Sequence, residues 1–202
     1  ITLRHYLGAI DAAARDDRVK GIVARMREGS FSLAQIEEIR NAVKRFKSSG
    51  KFTHIYSTSF GESGSGLGRY YLASVFDELW MQPLGIVMIA GVNAEVPYFR
   101  DALDKIGVRP EFFQRKEYKT AYESMTNREM SAPNREMMNV LISDMRGQLV
   151  GDIAADREMN TDAFEALVNK GLLTADEALD AGLIDHMDYT DVMIETVKKN
   201  VT

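Results

Sequence analysis

Three residues of this chain have the type and setting for nucleophilic chemistry: Ser63, Ser65 and Lys119. The serines lie in "SFGESGSGLGRYYLAS", residues 59–74, where Gly61, Gly64, Gly66 and Gly68 separate an apolar run from a helix-like segment. A serine nucleophile works best on a tight turn feeding a helix, because backbone N–H groups there can hold an oxyanion. It also needs a base, and no histidine is convincingly placed near the loop. The remaining general base is a lysine, which serves only if burial lowers its pKa from ~10.4 to roughly 7 or 8. Lys119, in "RKEYKTAYESM", has Tyr118, Ala121 and Tyr122 beside it to exclude water, whereas Lys116 sits among charges. On residue type alone, a solvated surface lysine is the default reading of Lys119.

Other chemistries fail on spacing. Counting from Gly64 and Gly66, the third glycine of a dinucleotide fingerprint falls on Arg69, and the loop has no lysine for a P-loop. A solvated turn of small residues is the plainer explanation of the glycines. His5, His54 and His186 lack metal-ligand spacing and there is no cysteine, so no metal, disulfide or thiol chemistry is assigned. Asp16–Asp17 and Asp176–Glu177 sit where a turn and a helix start already explain them.

Composition narrows the partners. A net charge of −5 with no basic run excludes a phosphate-backbone or membrane-surface footprint, so no nucleic acid is expected. No apolar run reaches the ~18 to 20 residues of a membrane span. The opening "ITLRHYLGAI" lacks the form of a signal peptide and has no initiator methionine, which leads us to expect an internal fragment. With 202 residues and 45% hydrophobic content, one domain over 1–202 can bury roughly 70% of its unfolded surface.

The elements that must position these residues alternate. Leu3, Tyr6, Leu7 and Ile10 have helical spacing, and "VKGIVARM" follows the turn-prone "RDDR" as a buried strand. Ser32 is a candidate N-cap for a helix carrying Leu33, Ile36, Ile39, Val43 and Phe46, with Gly50 as its stop. "KFTHIYS", "DELWMQP" and "GIVMIAGV" read as strands and "GRYYLAS" as a short helix. "EVPYFRDALDKIG" reads as a helix ended by Gly107, and "RPEFFQR" as a return to strand. A long helix opened by Pro133 carries Met138, Leu141, Ile142, Met145, Leu149 and Ile153 as a core-facing stripe. Thr174 and Glu177 have capping-box spacing, Gly182 is a stop, and "LIDHM" is a short strand. The fold class is therefore α/β, with right-handed crossovers between parallel strands.

Taken together, "DDRVKGIVARM", "AVKRFKSSGKFTHIYS", "GRYYLASVFDELWMQP", "EYKTAYES" with "REMSAPNREMM", and "ADEALDAGLID" resemble the signal peptide peptidase A (protease IV) family. The likeness runs in order along nearly the whole chain, and is to the amino-terminal half of the long, tandem-duplicated bacterial form. It implies a Clp protease/crotonase-like superhelix of repeated ββα units with a long helix in the second half. It also implies a divided dyad: the lysine of a Y-K-[ST]-A pattern, matched by Tyr118, Lys119, Thr120 and Ala121, and a serine on the carboxy-terminal half. In that family the serine stands directly before a G-G-Y-W-like helix start, but here Leu67 precedes "GRYY". The glycine loop then reads as the relic of a nucleophile turn. A rearrangement letting Ser65, two residues too early, take part stays a second reading.

The resemblance further implies cleavage of hydrophobic (signal) peptides without a cofactor. It implies a homo-oligomer, tetrameric in the bacterial long form, on the periplasmic face of the bacterial inner membrane through an anchor outside this segment. The chain by itself is expected to be inactive. Two other readings are a non-catalytic assembly scaffold and a crotonase-like acyl-CoA enzyme, since fold does not dictate function.

Overall fold

The computed structural model describes residues 2–27, 31–62 and 64–201. Its elements, in order, are α1 (Leu3–Arg15), β1 (Gly21–Arg25), α2 (Leu33–Lys47), β2 (Phe52–Ser57), α3 (Leu67–Ala73), β3 (Glu78–Met81) and β4 (Ile86–Met88). There follow α4 (Arg100–Lys105), α5 (Glu123–Thr126), α6 (Ala132–Asp156), α7 (Thr161–Lys170), β5 (Leu172–Thr174), α8 (Ala175–Asp180), β6 (His186–Met187) and α9 (Thr190–Val201).

Local chemistry marks many of these boundaries. Ser32 and Gln35 close a full capping box at the start of α2, and Thr174 and Glu177 do the same for α8. Gly50, Gly107 and Gly182 take positive φ just beyond α2, α4 and α8, a conformation that side chains with a Cβ resist.

Strands β1, β2, β3 and β6 form one parallel sheet in that order, and β4 pairs antiparallel with β5 in a second. Phe60 bridges to Val87 of β4 in parallel. The chain therefore passes from β2 to the second sheet at Phe60, returns through α3 to β3, and crosses again to β4. The path from β2 through Phe60, α3 and β3 to β4 thus adds backbone to both sheets. The expected α/β class with parallel crossover units is the one observed.

The chain divides into two compact units, 1–91 with 149–202, and 92–148. In the first, α1 lies on α2 through Ile10, Ala42 and Phe46. Phe60, Tyr70 and Phe164 form an aromatic centre, with Phe60 edge-on to Tyr70 at 5.3 Å. Arg40 is fully buried and held by Asp156 at 2.6 Å, by Ser74 at 3.0 Å and by the Tyr71 carbonyl, while its guanidinium lies 3.7 Å from the Tyr71 ring centre. A buried cation survives only when its donors are satisfied in this way.

The second unit holds α4, α5 and the first part of α6, and here several expectations change. The helix expected over 95–107 is shortened to α4, and residues 109–115, expected as a strand, pair with no strand among the described residues. β propensity without a ladder partner does not make a strand. The apolar stripe of α6 is not core-facing throughout: Leu149 and Ile153 are buried, but Leu141 is exposed and Met138, Ile142 and Met145 are half-buried. No helix among the described residues is long and apolar enough to cross a membrane.

Candidate active site

The glycine loop belongs to the first unit and folds back on itself. The N–H of Gly66 donates to the Met88 carbonyl at 2.6 Å, while Phe60 donates its N–H to the Ile86 carbonyl at 2.8 Å and accepts the Met88 N–H at 2.7 Å. A Cβ on Gly66 would stand 2.4 Å from the Phe60 carbonyl carbon and oxygen, and one on Gly61 2.6 Å from the Gly64 oxygen. These two glycines are required by close backbone approach. No phosphate cradle is needed to explain them.

The hydroxyls here are already committed. Ser65 Oγ donates to the Ala90 carbonyl at 2.6 Å and accepts the Leu67 N–H at 3.4 Å. Ser59 Oγ accepts the Ile86 N–H at 2.9 Å, and Ser57 donates to the Ser59 carbonyl at 2.6 Å. A hydroxyl whose proton is given to a backbone carbonyl has no base beside it to make it nucleophilic. Ser63 lies outside the described residues.

Lys119 belongs to the second unit. Its side chain is exposed and has no hydrogen bond or ion pair among the described residues, and it lines a cavity of about 840 Å³. Phe112, Tyr122, Met125 and Met138 supply apolar wall, with the rings of Phe112 and Tyr122 6.0 Å apart. Tyr118 stands beside the lysine and bonds Glu136 at 3.1 Å.

What holds this segment is a buried carboxylate that sequence reasoning missed. Glu123 accepts from Ser131 Oγ at 2.6 Å, from Asn134 Nδ2 at 2.9 Å and from the Ser131 N–H at 3.3 Å, while its own N–H donates to Thr120. Burial opposes its ionisation, but the bonds from Ser131 and Asn134 outweigh that, leaving its carboxyl below the ordinary glutamate value. Glu123 thereby ties the Lys119 turn to the start of α6. The signal was present as a polar cluster, "YES" and "SAPN", with no rule to pair its members.

The histidines also diverge from their sequence appearance. His54 and His186 approach one carboxylate, Glu78, at 3.4 and 3.3 Å, and Trp80 stacks on His186 at 4.0 Å. Parallel pairing of β2 with β3 and of β3 with β6 brings them there.

The sequence matches peptidase family S49 over residues 45–202. It is 32% identical over 156 residues to "Protease 4" of Haemophilus influenzae, covering 76% of this chain and 24% of that protein. It is 26% identical over 189 residues to "Serine protease SPPA, chloroplastic" of Arabidopsis thaliana, covering 94% of this chain and 27% of that protein. The chain thus spans about a quarter of the length of these curated relatives. The crystal structure of a peptidase from Plasmodium falciparum superposes with a TM-score of 0.54 at 14% identity, covering 93% of this chain and 89% of that one. That likeness concerns the fold alone, which is of the Clp protease-like α/β kind. The chain belongs to peptidase family S49.

Proposed function

We propose that this peptidase family S49 chain supplies the general base, Lys119, of a serine-lysine dyad that cleaves hydrophobic peptides, with the nucleophilic serine on a carboxy-terminal half of the same protein. The observation that carries the reading is the placement of Lys119, inside the family match, on an apolar-walled cavity with no competing partner on its Nζ among the described residues.

In this scheme neutral Lys119 takes the serine Oγ proton as Oγ bonds to the peptide carbonyl carbon. The C–N bond then breaks, the lysine returns the proton to the leaving amine, and water hydrolyses the resulting ester. Because Lys119 is exposed in this chain, the second half must also cover it, since a lysine base requires desolvation. The chain alone is therefore inactive. The apolar walls of the cavity fit side chains such as those of signal peptides, and assembly as a homo-oligomer on the periplasmic side of a bacterial inner membrane belongs to the same reading. Exposed Ile106, Phe113, Val140 and Leu141 would be covered in such an assembly.

The exposure of Lys119 also favours a second reading, a non-catalytic scaffold. Hydrolysis of a hydrophobic fluorogenic peptide by the full-length protein separates them. Lys119→Ala should lower kcat by roughly 10²- to 10⁴-fold with the circular dichroism spectrum unchanged, and Lys116→Ala should not. Full activity in folded Lys119→Ala would leave the scaffold.

A further inference from the structure

A second cavity, of about 560 Å³, lies wholly in the first unit, between α2, α3 and the sheet. Its wall is alkyl and phenyl carbon from Leu33, Ile36, Ile55, Leu72 and Phe76. Its rim is cationic: Arg25, Arg27 and Arg69 all line it, and the same arginines with Thr58 line an adjoining depression of about 470 Å³. Among the described residues no Asp or Glu lines either space, although acidic residues outnumber basic ones 30 to 25 in the chain. Arg25 and Arg27 make no ion pair among the described residues, and Arg69 Nε lies 3.4 Å from the Met26 sulfur. The positive charge is thus concentrated at the mouth of an apolar hole.

One further feature narrows the occupant. Strand β1 is the edge of its sheet and pairs only with β2 among the described residues, leaving its other backbone edge free of a strand partner. Ala24 and Arg25 of this edge strand also line the cavity. An extended peptide can add to such an edge through its main chain, placing alternate side chains toward the protein.

We infer that this cavity binds the free carboxy terminus of a hydrophobic peptide, the terminal side chain seated among Ile36, Ile55 and Phe76 and the carboxylate paired with Arg25 and Arg27. Guanidinium groups suit a carboxylate because two parallel N–H donors meet its two oxygens. A nucleotide is a poor match, since Leu33, Ile36, Ile55, Leu72 and Phe76 carry no group to read a base, and Tyr6 and Ser65 add only neutral hydroxyls. A fatty carboxylate shares the anionic head and apolar body but would leave the β1 edge unused. The site requires neither Lys119 nor catalysis, so it stands apart from the function proposed above.

The test is fluorescence anisotropy with the full-length protein in a Lys119→Ala background, which prevents loss of the probe by hydrolysis. The probe is a labelled peptide ending Ala-Leu-Ala-Leu-Phe, as the free acid and as the carboxamide, with dodecanoate as competitor. The free acid should bind at least about tenfold more tightly than the amide, because the amide forfeits hydrogen bonds to a charged group. Arg25→Gln with Arg27→Gln should remove that preference. Gly68→Leu should block binding by filling the cavity: a Cβ there meets Ile36 Cδ1 at 3.7 Å, an ordinary contact that a folded protein tolerates. Equal affinity for acid and amide, undiminished binding in the arginine variants, or no peptide binding by folded protein would each overturn the proposal. Dodecanoate bound where the peptide is not would assign the cavity to fatty carboxylates and overturn it equally.

Discussion

The glycine loop around Ser59–Gly68 and the lysine segment around Tyr118–Asn134 handle their polar groups in opposite ways. In the loop, the hydroxyls of Ser59 and Ser65 and the N–H of Gly66 bond backbone atoms in or beside β4, and the glycines allow the chain to pack onto itself. In the lysine segment, Glu123, Ser131 and Asn134 satisfy one another in the interior while Lys119 is left without a partner among the described residues. The loop's polar groups bind backbone. The lysine segment instead holds an exposed lysine above a buried polar cluster.

Substitutions can break this contrast, beginning with the most deeply committed group of the first unit. Arg40→Ala takes a fully buried cation away from Asp156, Ser74 and the Tyr71 carbonyl, leaving Asp156 to Ser74 and, at 3.4 Å, Lys44, and should cost about 3–5 kcal/mol in denaturant unfolding. A loss below 1 kcal/mol would show that this network carries little of the fold.

Gly66→Ala forces a Cβ into the Phe60 carbonyl and should cost about 1–3 kcal/mol. Gly147→Ala, with open space around its Cβ in α6, should instead be neutral or stabilising by up to ~1 kcal/mol. If both behave alike in thermal melts, the loop is looser than its close contacts require.

In the lysine segment, Glu123→Ala should cost about 1–3 kcal/mol by orphaning Ser131 and Asn134, and should lower activity through the Lys119 turn. The pH dependence has a definite sign. The folded carboxyl of Glu123 lies below its unfolded value, so its contribution is present above the unfolded glutamate pKa near ~4.3 and is lost as pH falls through the folded one. Stability curves of the wild type and Glu123→Gln should therefore converge in acid, and parallel curves down to acid unfolding would remove Glu123 as the anchor.

The smallest effect sharpens the comparison. Ser65→Ala removes one hydroxyl bond to Ala90 and should cost about 1 kcal/mol without changing peptide hydrolysis by the full-length protein. Lys119→Ala should do the reverse, altering hydrolysis but not melting temperature. Loss of activity in folded Ser65→Ala would restore the loop as a reaction centre.

How much of this was legible varies with the range of the interaction. Ser32, Thr174, Gly50 and Gly182 act within a few residues of themselves, and each does what its position in the sequence predicts. The segment 109–115 failed as a strand because a strand is defined by its neighbour, and its aromatic residues gave no hint that one was missing. The stripe on α6 was likewise half right, since periodicity records an apolar face and not what covers it. Lys119 stands out through Tyr118, Thr120 and Ala121, while its exposure is the one that a lysine's residue type already predicts.

The sequence by itself determined the α/β class, most caps and stops, and the membership that its motifs suggested, because propensity, periodicity and motif identity are local properties of the chain. Only the tertiary structure decided that Ser65 gives its proton to Ala90, that Glu123 anchors the lysine turn, that His54 and His186 meet at Glu78, and that Arg25, Arg27 and Arg69 crown one apolar cavity. Each of those depends on residues far apart in the chain being brought within a few ångströms, a distance set by how strands pair and helices pack and not by spacing along the sequence.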